Sequence, residues 1–219
     1  MSASSLANEY LSSQTPNTNT SEYNKLSYIF NQLMRDVHTT TLCKVVAVTN
    51  AGGVSEVGFV DVQPLVNMTD YRGNAIPHTT VFHLPYFRLQ GGSNAIIIDP
   101  QVGDIGICMI AERDISKVKS TKAQANPGSK RHFSMSDGLY VGGVLNGTPT
   151  QYVQFQTGSV TVHSPSVINI EAPTINLNGS VNATSTIVAV GDITGAGTSL
   201  HSHTHSGVKS GTDNSGAPN

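Results

Sequence analysis

The sequence predicts an all-β protein with one short N-terminal helix, divided between a small barrel and a shaft that cannot be stable as a lone chain. Three observations carry this reading. Short β-branched runs bounded by Gly, Pro, Asn or Asp crowd residues 40–112. Brief alternating units such as "SVTVHS" and "VINIEAP" recur after residue 150. Only residues 22–37 have a helical period.

Residues 1–20 are polar, rich in Ser, Thr and Asn, and read as an arm. In "EYNKLSYIFNQLMRDV" (22–37), Leu26, Ile29, Phe30, Leu33, Met34 and Val37 recur at steps of three and four, giving one apolar stripe. Ser21 is the expected N-cap. The stripe suits a helix packed on its own domain or one lying at a subunit boundary.

The runs "TLCKVVAV", "VGFVDVQPLV", "TTVFHLPYF", "AIIIDP" and "GDIGICMIAE" supply five or six strands, enough for a small closed barrel. The oligonucleotide/oligosaccharide-binding (OB) type fits the strand count, as does another small barrel or a sandwich. Cys43 and Cys108 lie in these runs and are expected as buried free thiols. Residues 113–131 hold six of the twelve Lys and Arg (Arg113, Lys117, Lys119, Lys122, Lys130 and Arg131) and read as a long loop. A basic loop on a barrel can bind phosphates, but the interleaved aromatics that stack bases are missing. Docking on a neighbouring subunit or partner is the expectation. "HFSMSDGLYVGGVLNGTP" (132–149) returns the chain to strand and ends in a Gly/Pro break.

From residue 150 only Glu171, Asp192, Lys209 and Asp213 are charged. The pairs Val160/Val162, Ile168/Ile170, Ile175/Leu177 and Val188/Val190 alternate with small polar residues, which gives strands with one apolar face. Each unit offers too little to bury, and its edges would aggregate. Three chains wound around one axis cure both faults, so an intertwined triple-stranded β-helix is expected over 150–199, with a single-chain solenoid as the alternative.

The shaft runs into "LHSHTHSGV" (200–208). On a strand, His201, His203 and His205 face one way. A three-fold axis makes each a ring of three imidazoles, successive rings standing ~6.6 Å apart. Two rings give six nitrogens around one ion. Structural zinc is almost always four-coordinate, whereas imidazole also serves Fe, Ni and Cu. The expected cofactor is one Fe ion per trimer, with Ni or Co as substitutes, in a closed site that clasps rather than catalyses. Only two of the three histidines can serve one octahedron, so His201, His203 and His205 all stand as candidate ligands at this point.

The bulk numbers restrict the function. The chain has 219 residues, a net charge of -2 and a pI near 6.4, so charge predicts no nucleic-acid partner. Charged residues are 12%, against roughly 25% in ordinary domains. No secretory signal opens the chain, and no apolar run approaches the ~20 residues that span a bilayer. Synthesis in the cytoplasm is the expectation. An enzyme is not expected: an oxygenase site needs a carboxylate beside two His, a glycosidase needs paired carboxylates, and Glu171 and Asp192 stand alone.

The segments "HTHSGV" (203–208) followed by "SGTDNSGAP", "VGDIGICMIAERDIS" (102–116) and "KRHFSMSDGLYVGG" (130–143) together resemble the central spike, or baseplate assembly protein V, family of contractile-tailed phages. The likeness is to its membrane-puncturing subfamily and covers most of the chain after residue 38. It implies a homotrimer with an OB-fold collar (39–149), a β-helix shaft (150–199) and a metal-binding apex (200–219); the arm and helix (1–38) have no counterpart in the family pattern. It further implies one axial iron held by an HxH pair from each chain, mapping to His203 and His205, with His201 extra to the pattern. The implied partners are the baseplate hub, the tail-tube proteins and the bacterial outer membrane, and the implied location is the virion's tail tip, where piercing precedes genome ejection. A contractile bacteriocin or secretion machine would carry an equivalent spike. A nucleic-acid-binding OB protein is the remaining alternative.

Overall fold

The computed structural model describes residues 17–50, 53–70, 72–207 and 211. The expected arm falls largely outside them, as does most of the apex after Gly207. The chain forms two compact units, Met1–Pro149 and Thr150–Asn219, and it is mostly β.

In the first unit, helix α1 is Glu22–Met34, and the Ser21 Oγ accepts the Asn24 N–H at 3.1 Å. The helix is one turn shorter than its apolar stripe. After Met34 the backbone tightens, with Asp36 N–H donating to Leu33 O and Val37 N–H to Met34 O, and the β-branched run Thr39–Thr41 then enters a strand. No residue of α1 is buried, and Leu26, Phe30 and Leu33 lie open to solvent.

Strands β1 (Thr40–Val48), β2 (Phe59–Pro64), β3 (Met68–Thr69), β4 (Ala75–Ile76), β5 (Val81–Pro85), β6 (Leu89–Gly91), β7 (Asn94–Ile96), β8 (Ile105–Ile110) and β9 (Gly138–Gly142) follow. Five of them form one antiparallel sheet in the order β5-β2-β1-β8-β9. The sheet curls into a half-barrel, bent where β1 slips register between Val45 and Ala47. Its two edges approach at a parallel bridge between Tyr86 and Tyr140, and Phe87 N–H donates to the Tyr140 carbonyl at 2.8 Å.

Alternation supplies the core. Cys43 and Val45 of β1, Val60 and Val62 of β2, Leu84, Tyr86, Cys108 and Tyr140 point inward and are buried. Cys43 and Cys108 are buried free thiols, as expected. The Cys43 thiol is pushed up by its hydrogen bond with Cys108 and by burial. Gly106 is required by the packing: a Cβ there would lie 2.5 Å from the Val141 carbonyl oxygen and 2.6 Å from the Tyr140 ring. Gly106→Ala should therefore destabilise this unit by about 1–3 kcal/mol. Thermal unfolding checks it, and an unchanged Tm would show that the strands separate freely there.

Two expectations are corrected. "AIIIDP" adds no strand to the sheet; its start is one arm of the separate β6–β7 hairpin, and the fifth sheet strand comes instead from "GLYVG". The basic stretch 113–131 is not a plain loop, because it holds a short helix, α2 (Ser116–Thr121), and is tied down by charge. Arg131 bridges the buried carboxylates of Asp137 at 3.1 Å and Asp114 at 3.2 Å. The Ser116 and Ser129 hydroxyls, then the Ser116 N–H and Arg131, hold the Asp114 carboxyl well below the usual range. Lys122 reaches Glu56 at 2.8 Å, Lys119 the His83 carbonyl oxygen, and Arg113 Glu112. Four of the six cations are thus engaged within the unit rather than ranged along an open stripe.

The second unit differs in kind. Strands β10 (Tyr152–Gln156) and β11 (Ser159–His163) pair as a hairpin through Gly158, whose φ is +80°. Val153 and Phe155 face Val162 and Val160 across it, giving one apolar side that remains exposed. Among the described residues, 164–193 form no strand ladder within the chain. Ile168, Ile170, Ile175, Leu177, Val188 and Val190 are all exposed. From 150 to 207 no residue is buried, and all but Ser164 and Ser199 lie open to solvent.

Candidate metal centre

The last strand pair among the described residues is a tight hairpin of β12 (Thr194–Gly195) and β13 (Thr198–Ser199). Its two turn residues, Ala196 and Gly197, have φ of +49° and +83°, the pairing a two-residue turn with right-handed strand twist requires. Below the ladder, Leu200 N–H donates to the Ile193 carbonyl at 2.8 Å, and His201 N–H donates to Asp192 Oδ1 at 3.1 Å. The Ser199 hydroxyl and this amide hold the Asp192 carboxyl below the usual range.

The chain then turns rather than running on as a strand. Ser202 N–H donates to the Ser199 Oγ at 2.9 Å. The period-two reading therefore fails at its first member: His201 and Ser202 occupy a turn. His203 and His205 come together, ring centroids 5.1 Å apart and planes at 82°. Among the described residues, the His201 imidazole makes no ring contact with them.

The chemistry of His203 is fixed by its neighbour. Its Nδ1 lies 3.1 Å from the Leu200 carbonyl oxygen, which can only accept. Nδ1 therefore carries the proton, and the Nε2 lone pair is free, which is the arrangement a metal-ligating imidazole needs. Among the described residues, no group of three His, Cys, Asp or Glu side chains within one chain can hold a metal. One chain brings two imidazoles and no more to this point.

Residues 197–219 match the family model described as the GpV Apex motif, a hallmark of baseplate central spike proteins. The matched segment begins at the hairpin's turn glycine and contains His201, His203 and His205. Members of the family are structural components of the phage tail baseplate, associated with its other proteins. No curated protein matches this sequence.

Sequence reasoning missed what the hairpin does. Asp192 stands eleven residues before His203 and reads as an isolated charge, and Leu200 contributes a backbone atom, which no side-chain motif reveals. The Asp-Ile-Thr-Gly-Ala-Gly-Thr stretch is a turn signal that could have located the hairpin.

Proposed function

We propose that the protein is the homotrimeric central spike at the tip of a contractile phage tail, which pierces the host outer membrane when the sheath contracts. The observation that carries this reading is the match of residues 197–219 to the spike apex motif. The bare second unit supports the trimer. Its apolar residues have nothing to bury against within one chain, and residues 164–193 have no intrachain strand partner. Buried backbone groups must be paired, and winding three chains together supplies partners for the backbone and an axis for the side chains. Residues 150–199 form the triple-stranded β-helix in this reading.

The OB-fold collar over 39–149 rests on strand order. The first strand is central, the last strand pairs beside its partner, and the sheet's edges meet at Tyr86 and Tyr140, as in a five-stranded Greek-key barrel. The apex clasp rests on the donor set. Three chains contribute six imidazoles from His203 and His205, which suit one octahedral Fe ion and leave no open position for catalysis. Such an ion would lock the narrowest part of the spike against splaying under load. Among the described residues no helix is long and apolar enough to cross a membrane, in keeping with perforation by a rigid tip.

The assembled spike should resist SDS at room temperature and run as a trimer, because its shaft strands pair between chains. Light scattering that shows a monomer or dimer at micromolar concentration contradicts the shaft. On virions, antibody raised against the apex should bind at the tail tip alone; labelling along the tail or at the capsid contradicts the assigned place.

A further inference from the structure

The carboxylate of Asp192 and the imidazole of His203 are joined through a single peptide unit. Asp192 Oδ1 accepts the N–H of His201 at 3.1 Å. The carbonyl of that same peptide belongs to Leu200, and it accepts the Nδ1–H of His203 at 3.1 Å. The peptide is planar and trans, so its N–H and C=O point in opposite directions, and fixing one fixes the other. The Leu200 N–H is itself bound to the Ile193 carbonyl, which anchors the preceding unit.

We propose that Asp192 is a positioning residue for the apex metal site, acting on His203 through the Leu200–His201 peptide. This rests on the iron-clasp reading above. Metal-bound histidines commonly donate their second nitrogen to a carboxylate or a carbonyl, which sets the tautomer, the ring orientation and the ligand's basicity. Here the two devices stand in series. The negative carboxylate polarises the peptide, making its oxygen a better acceptor, and the acceptor holds the proton on Nδ1 and directs Nε2 outward. The extra histidine then has a use that its side chain does not suggest: position 201 serves through its N–H, which any residue but proline supplies.

The test is Fe(II) binding by the purified full-length protein, with 15N imidazole spectra of the metal-free form. Asp192→Ala should weaken Fe(II) affinity by about 10–100-fold, and His203 should lose its single Nδ1-protonated signature and show mixed tautomers. Asp192→Asn keeps an oxygen for the His201 N–H and should recover most of the affinity. His201→Ala, which keeps the amide, should bind Fe(II) as the wild type does. Wild-type affinity and an unchanged tautomer in Asp192→Ala would overturn the positioning role while leaving the clasp intact. Equal loss in Asp192→Asn would overturn it too, since the amide's acceptor is still present. A wild-type protein that binds no Fe(II) would overturn the clasp and this role together.

Discussion

Val188→Asp and Ile175→Asp are expected to abolish assembly of the proposed trimer. In one chain both side chains are exposed, at 83% and 49% of their surface, so a carboxylate at either position costs a lone chain almost nothing. In the proposed shaft the three copies converge on the axis. Each substitution then buries three like charges together with no cation near; the nearest charged residues in the sequence are Glu171 and Asp192, both acidic. An unpaired buried charge costs several kcal/mol, and three of them exceed what the marginal stability of a folded assembly absorbs. The first unit should still fold, because its core is complete within one chain. Size-exclusion chromatography should show monomer or aggregate with an intact near-ultraviolet signal. A soluble, fully assembled trimer from either variant would place these residues on the outside.

His203→Ala removes three of six proposed ligands in one substitution, so iron should be lost completely. His201→Ala should retain it. The trimer should form in both, since the clasp closes only the last turn and the shaft is held by its own strand pairing. What should fall in His203→Ala is order in residues 200–207 and penetration of the outer membrane. Metal analysis of the two purified variants is decisive: full iron in His203→Ala, or loss confined to His201→Ala, would show that the wrong pair has been assigned.

Legibility differed by segment. Helix α1 and its cap were readable because an apolar stripe and a serine at its start are local signals. β1, β2, β5 and β8 were readable from β-branched alternation for the same reason. "AIIIDP" misled because an apolar run says nothing about which strand lies beside it, and Ile96 and Ile98 end up exposed. Helix α2 was hidden because six residues cannot display a period. The ion pairs that organise the first unit were also invisible: Arg88 forks onto Asp99 at 2.7 Å deep in the fold, and Arg131 joins Asp114 to Asp137, each linking residues that are apart in the sequence. The three histidines were visible by residue type, but their placement was not. Three identical letters at even spacing suggested one face, while the turn at His201–Ser202 depends on the Ser199 hydroxyl and on Asp192. The alternation after residue 150 was legible, and the apolar residues that it marks are exposed in the single chain.

The account's central claim is that three chains close on one metal ion. Native mass measurement with metal analysis on untagged full-length protein tests both halves at once. The predicted result is a mass of three chains carrying one iron. A monomer, a dimer, or a trimer with no metal or with one ion per chain would contradict it.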